Sequence, residues 1–368
     1  MTKLHLLHTN QRQSPWLDNL TRAHLRTGHL AKLIADGVRG ITSNPTIFAK
    51  AISGSDYYDD QIDTLIANGA TPTDIYWEVV LDDVEEALSQ LHPVYAASDG
   101  DDGFVSVEVA PDIAHDTQRS IGAARALHER ISMPNLMVKI PATPEGVPAV
   151  QELIAEGRSI NVTLLFGLER YEQIIEAYLA GLEACTGDLS RIHSVASFFL
   201  SRVDSEVDRH LDRIGSADAL ELRGRAALAQ ANAAYHLFRL RFSGPRWEAL
   251  AARGARVQRP LWASTSTKNP AYPDTMYVDQ LIAPDTVTTL TEATIAAFED
   301  HGTVERSIEN RTDASCRILE QLVSVGINMR DVTKKLENEG VAAFTQSFDQ
   351  LLATLQPKVW MGLASHGS

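Results

Sequence analysis

The chain is short of the features that direct a protein to a membrane, a nucleic acid or a metal. No stretch approaches the roughly eighteen consecutive apolar residues that a membrane-spanning helix needs. The first residues, MTKLHLLHTNQRQSPWLDNL, hold neither the apolar core of a signal peptide nor a small-residue cleavage site, so a cytoplasmic protein is expected. Basic runs are missing too: 33 Lys plus Arg stand against 48 Asp plus Glu, a formal net charge of −15. Such an excess disfavours nucleic acid or an anionic membrane as partner. The only cysteines, Cys185 and Cys316, lie far apart and outside any CxxC or Cys/His grouping. Neither a zinc nor a redox site is expected, and both read as buried free thiols. No GxGxxG turn follows a strand-like run, and no repeat, low-complexity tract or linker divides the chain.

What is present is the balance of a soluble globular protein, 44% hydrophobic and 22% charged residues over 368 positions. Short β-rich runs recur at 15–20, 38–43, 104–109, 136–140, 160–165, 192–199, 260–265 and 276–282, separated by helical patterns such as Ile75, Val79, Val80, Val84, Leu88 and Leu91. Eight strands alternating with helices predict parallel βαβ units closed into a (β/α)8 TIM barrel, in preference to an open doubly wound sheet. A single domain over 1–368 suffices, with helical insertions near 53–103 and 205–258 and C-terminal helices after 285. Gly340 is expected to break the last segment into two helices. The second of these places Val341, Phe344, Phe348, Leu351, Leu352 and Leu355 on one side, a face for packing on the barrel or, alternatively, for covering its mouth.

Reactive groups of such barrels come from the C-terminal ends of strands. Polar residues are unusually frequent there: Asp18, Thr42, Asn44, Glu108, Lys139, Asn161, Thr163, Ser194, Ser197, Ser264 and Ser266. Lys139 stands out inside the apolar run LMVKI. A lysine enclosed by low-dielectric walls gives up its proton more readily and can attack a ketone to form a Schiff base, whose protonated imine then acts as an electron sink. The alternative is a structural ion pair with Glu108 or Asp18. Those two carboxylates could instead shuttle the protons that imine chemistry requires, with Thr163 holding a water; each could equally satisfy an interior hydrogen bond. Arg202, five residues after Ser197, and Lys268, in the loop after the seventh strand, are candidates for an anionic substrate group, against the default of solvated or salt-bridged side chains.

Taken together, GVRGITSNPTIF at 37–48, VSVEV at 105–109, LMVKIPAT at 136–143, INVTLLF at 160–166, SVASFFLSRVD at 194–204 and LWASTSTKNP at 261–270 resemble the class I, Schiff-base-forming transaldolases of bacterial type, in order and across residues 14–355. The resemblance implies a (β/α)8 barrel that moves a dihydroxyacetone unit between sugar phosphates without cofactor or metal. It implies that Lys139 forms the Schiff base, Asp18 is the acid/base of C–C cleavage, and Glu108 with Thr163 orders the catalytic water. Asn44 and Asn161, supported by Thr42, would hold the three-carbon unit, and Ser197 and Arg202 the phosphate. Some members carry an arginine where this chain has Lys268, which is expected to take that phosphate contact as a flexible point charge. A plain aldolase, a non-catalytic sugar-phosphate-binding barrel and a pyridoxal-phosphate enzyme are the rivals. The sequence leaves monomer or homodimer open.

Overall fold

The structure is a computed structural model that describes residues 1–308 and 312–366. Eight parallel strands close into a barrel in sequence order: β1 (Gln13–Asp18), β2 (Gly40–Thr42), β3 (Phe104–Glu108), β4 (Leu136–Pro141), β5 (Ile160–Leu165), β6 (Ser194–Phe199), β7 (Arg259–Ala263) and β8 (Thr286–Leu290), which pairs back onto β1. α1 (Lys3–Gln11) precedes β1. α2 (Arg22–Arg26) and α3 (His29–Ala35) lead to β2; α4 (Pro45–Ser53), α5 (Asp59–Ala67) and α6 (Pro72–Ala97) lead to β3. Single helices α7 (Thr117–Arg130), α8 (Gly146–Ala155) and α9 (Leu168–Ala184) follow β3, β4 and β5. Between β6 and β7 lie α10 (Ser201–Ile214), α11 (Ala217–Leu220), α12 (Ala226–Arg241) and α13 (Gly244–Ala251). α14 (Met276–Asp279) precedes β8, and α15 (Glu292–His301), α16 (Thr312–Ser324) and α17 (Met329–His366) follow it. Among the described residues no helix is long and apolar enough to cross a membrane.

Local chemistry explains the helices that frame the mouth. Thr71 and Asp74 form a reciprocal capping box with Pro72 in the first turn of α6, whose Ile75, Val79, Val80, Val84, Leu88 and Leu91 are buried. Asn44 caps α4, its carbonyl oxygen accepting the Ile47 amide at 3.0 Å, with Pro45 as the first helical residue. Arg22 of α2 reaches into the insertion, donating to Asp83 at 2.7 Å, while the Tyr58 hydroxyl donates to the same carboxylate at 2.8 Å.

Three expectations are corrected. The first seven strands lie within a few residues of the predicted runs, but 276–282 holds α14, and the eighth strand is Thr286–Leu290. Its sequence, TVTTL, is β-branched and wholly buried, yet its threonines dilute the apolar signal; Thr289 bonds the Trp262 carbonyl and Thr286 that of Ala283 instead of exposing hydroxyls. Gly340 does not break the C-terminal segment: α17 runs through it. A Cβ there would approach Leu164 Cδ2 to 2.9 Å, so the glycine serves the close approach of α17 to β5. Of the two thiols, Cys185 is buried but Cys316 is exposed, on α16, which packs against α12.

The N-terminal end of the barrel is plugged by a satisfied carboxylate. Asp102 accepts from Ser14 Oγ at 2.6 Å and Arg39 Nε at 2.8 Å, with Arg259 at 3.4 Å. Burial alone would raise its pKa, but Arg259, Arg39 and Ser14 hold it below the usual carboxylate value. This end reads as structure; the opposite end does not.

Candidate active site

At the C-terminal end, register and alternation bring the polar residues of several strands together. Glu108 of β3 pairs with Lys139 of β4, and Lys139 pairs with Asn161 of β5, so the three point into one layer of the interior. Lys139 is only 4% exposed. Its Nζ donates to the Ser43 carbonyl at 2.9 Å and lies 3.3 Å from Glu108 Oε2.

Glu108 is the counterpart of Asp102 at the other end, and its situation is opposite. Neither of its buried carboxylate oxygens is aligned for a protein hydrogen bond, although Lys139 stands within ion-pair distance. Burial pushes its pKa up, and Lys139 and Arg202 pull it back only in part. Thr163 Oγ1 is likewise buried without a protein partner. Natural interiors seldom leave such groups unpaired unless function uses them. β5 also bends at this point: its register to β6 shifts between Val162 and Leu165, and Leu164 adopts φ of 56°, a left-handed conformation costly for leucine.

Asn161 is held from both sides, donating to Ser106 Oγ at 3.0 Å and accepting from Ser197 Oγ at 2.7 Å. Ser197 therefore sits inside the barrel as an orienting partner of Asn161. Thr42 is buried on β2, in register with Asp18 and Ser106.

The other predicted residues line a cavity of about 620 Å³ at the mouth: Asp18, Asn44, Arg202 and Lys268 face it, together with Lys50 and Phe344. Burial raises the Asp18 pKa, opposed by the charges of Lys139, Lys268 and Arg202, so this carboxyl shares a field with the lysine below it. Arg202 makes no ion pair among the described residues; its guanidinium lies 5.5 Å from the Phe199 ring and 5.9 Å from that of Phe344. Burial lowers its pKa, with Asp18, Glu108 and Glu339 acting in the other direction. Lys268 is exposed on the rim. The segment after it is fixed to α10 by two hydroxyls, Tyr272 to Asp208 at 2.5 Å and Tyr277 to Asp204 at 2.7 Å.

Sequence reasoning missed Ser43, Ser106 and Phe344. Ser106 was legible: it lies two residues before Glu108, hence on the same face of β3. Ser43 acts through its main-chain oxygen, which no side-chain pattern reveals. Phe344 belonged to an apolar stripe whose role depends on where α17 lies.

A buried lysine beside an underbonded carboxylate lies beneath a cavity whose lining includes Arg202 and Lys268, the arrangement by which a candidate active site is recognised. The transaldolase/fructose-6-phosphate aldolase family model matches residues 15–355. A transaldolase of Thermobifida fusca (strain YX) is 49% identical over 356 residues, 95% of this chain and 96% of that protein. One of Frankia alni is 49% identical over 345 residues, 92% and 93% of the two chains. One of Mycolicibacterium smegmatis is 48% identical over 348 residues, 93% and 94% of the two chains. The chain belongs to the transaldolase family. It is an enzyme of the transaldolase type, and the closed eight-stranded parallel barrel is the fold expected of it.

Proposed function

We propose that the chain transfers a dihydroxyacetone unit reversibly from sedoheptulose 7-phosphate or fructose 6-phosphate to glyceraldehyde 3-phosphate or erythrose 4-phosphate, within the non-oxidative pentose phosphate pathway. The observation that carries the reading is Lys139, buried at the top of β4 with Nζ 3.3 Å from Glu108 Oε2.

In this scheme the neutral Lys139 amine attacks the C2 carbonyl of the donor. The carbinolamine loses its hydroxyl as water, with Glu108 and Thr163 moving the proton and ordering that water. Asp18 takes the proton of the C4 hydroxyl; the C3–C4 bond breaks, its electrons pass into the iminium, and an aldose phosphate leaves. The remaining enamine attacks the acceptor aldehyde, Asp18 returns the proton to the new hydroxyl, and water releases the product ketose from Lys139. Asn161, oriented by Ser106 and Ser197, and Asn44 hold the three-carbon unit, with Thr42 behind them. Arg202 and Lys268 meet the phosphate, local positive charge on an acidic protein. Raised carboxyl pKa values at Glu108 and Asp18 suit groups that must both accept and return protons.

The test is borohydride reduction in the presence of fructose 6-phosphate, followed by intact-mass and peptide mapping. A reduced three-carbon adduct on Lys139 is expected, absent from Lys139→Ala; full activity in that variant would end the scheme. The plain aldolase reading is separated by product analysis, since it requires free dihydroxyacetone to accumulate when no acceptor is supplied.

A further inference from the structure

A second group of side chains converges on the rim of the mouth, and the scheme above makes no use of it. His24 of α2, His29 at the start of α3 and Glu292 at the start of α15 meet there. His24 Nε2 lies 2.9 Å from Glu292 Oε1, and His29 Nε2 lies 2.8 Å from Glu292 Oε2. The two imidazole rings are 5.2 Å apart and tilted by 38°, and one donor atom from each of the three residues lies within 4.8 Å of the other two.

We propose that His24, His29 and Glu292 form a binding site for a late first-row divalent cation, Zn²⁺ foremost. Two imidazole nitrogens and one carboxylate are the donor set of three-ligand zinc sites and suit Zn²⁺, Ni²⁺ or Cu²⁺ over the oxygen-seeking Mg²⁺ and Ca²⁺. A tetrahedral ion with bonds of about 2.0–2.1 Å holds its donor atoms about 3.3 Å apart. His24 and His29 each face a different oxygen of Glu292, at 2.9 and 2.8 Å, and one donor atom of each residue lies within 4.8 Å of the others, so the three side chains must close on an ion by small ring and carboxylate rotations. Tying α15 to α2 would take one imidazole; the second, aimed at the other carboxylate oxygen, is what makes the group a cation cage.

The ligands are held by neighbouring turns that fix where each begins. Thr21 caps α2 through the His24 amide, Gly28 turns the chain into α3 at φ of 75°, and Thr291 caps α15 through the Thr294 amide. His24 Nδ1 is buried without a protein partner, so nothing but Glu292 holds the His24 ring by a hydrogen bond and the ring is free to turn its Nε2 toward a cation. Asn19 donates to Glu292 Oε1 at 3.4 Å and lines the mouth cavity next to Asp18, so the cation would brace the rim beside the reacting groups.

The experiment is calorimetric titration of the full, untagged, chelator-treated chain with ZnCl₂ alone, with Co²⁺ absorption in the visible as a second readout. One saturable equivalent is expected, with Co²⁺ bands of tetrahedral type and no heat from MgCl₂. His29→Ala, at a half-exposed first helical position, and Glu292→Gln should each weaken that equivalent at least about tenfold and abolish the Co²⁺ bands. His301→Ala, which removes the separate histidine beside Asp274 and Asp300, should leave it unchanged. No saturable equivalent in the parent chain, parent-like binding in both His29→Ala and Glu292→Gln, or loss confined to His301→Ala overturns the proposal. Circular dichroism of His29→Ala keeps the result readable should Glu292→Gln perturb folding.

Discussion

The Phe344 ring of α17 and the Arg202 guanidinium of α10 lie 5.9 Å apart across the barrel mouth, with Phe199 at 5.5 Å from the same guanidinium. The arginine is thus aimed by two aromatic rings in place of an acid that would compete with an anionic substrate. Phe344→Ala removes one ring. The expected outcome in steady-state kinetics is a rise in KM for phosphorylated donors of about three- to tenfold, from a cation–π contact of roughly 0.5–1 kcal/mol and the freedom the side chain gains, with kcat nearly unchanged. An equal fall in kcat would place Phe344 in the chemistry instead.

Glu108→Gln keeps the shape of the side chain but cannot carry protons. A drop in kcat of about 10²–10⁴ is expected, with substrate binding largely retained. Single-turnover measurements separate the loss of imine formation from slow product release.

The acid limb of the pH–rate profile should report the raised carboxyls. Burial places the Glu108 and Asp18 pKa values above the ordinary carboxylate range, so a group that must be ionised becomes protonated, and activity falls, at a higher pH than an exposed carboxyl would give. kcat/KM measured from pH 4 to 8 checks this, and Asp18→Asn should lose most of the turnover and leave an acid limb that reports Glu108 alone.

Asp204 gives a stability prediction of known sign. Burial raises its folded pKa to about 6, against the hydrogen bonds from Ala227 and Tyr277. Between the unfolded value near 4 and the folded value the native chain binds more protons, so this group's contribution is greatest below about pH 4 and is lost as pH rises through about 6. The amount is of the order of 3 kcal/mol. Melting curves of Asp204→Asn from pH 4 to 7 should lack that decline.

Gly146 opens α8 just beyond β4, where a Cβ would stand 1.9 Å from the Pro141 carbonyl oxygen. Backbone must move to admit it, and the backbone in question ends the strand that carries Lys139. Gly146→Ala is expected to lose on the order of 1–3 kcal/mol in urea unfolding and to lower activity as well.

The catalytic layer was readable because strands alternate with period two: once Glu108, Lys139, Asn161 and Thr163 are assigned to parallel strands, their sides and neighbours follow. β8 was harder, since TVTTL is wholly buried with two of its three hydroxyls, those of Thr286 and Thr289, bonding main-chain carbonyls, which a hydropathy reading scores as surface. Gly340 misled for a related reason: its lack of a side chain answers to Leu164, 176 residues earlier, and not to its own helix. The group formed by His24, His29 and Glu292 joins residues 263 positions apart through a closure of β8 onto β1 that no local pattern announces.

α17 packs on α4, α5, α6 and α10, roofing a mouth whose eight strands are all complete by Leu290. Translation must add another stretch of chain before that roof exists, roughly 4–15 s at ordinary elongation rates. For that interval a newborn barrel would carry Lys139 and its neighbours beneath an open mouth. The order of the elements therefore leaves the mouth above Lys139 uncovered until the last segment of the chain has been made.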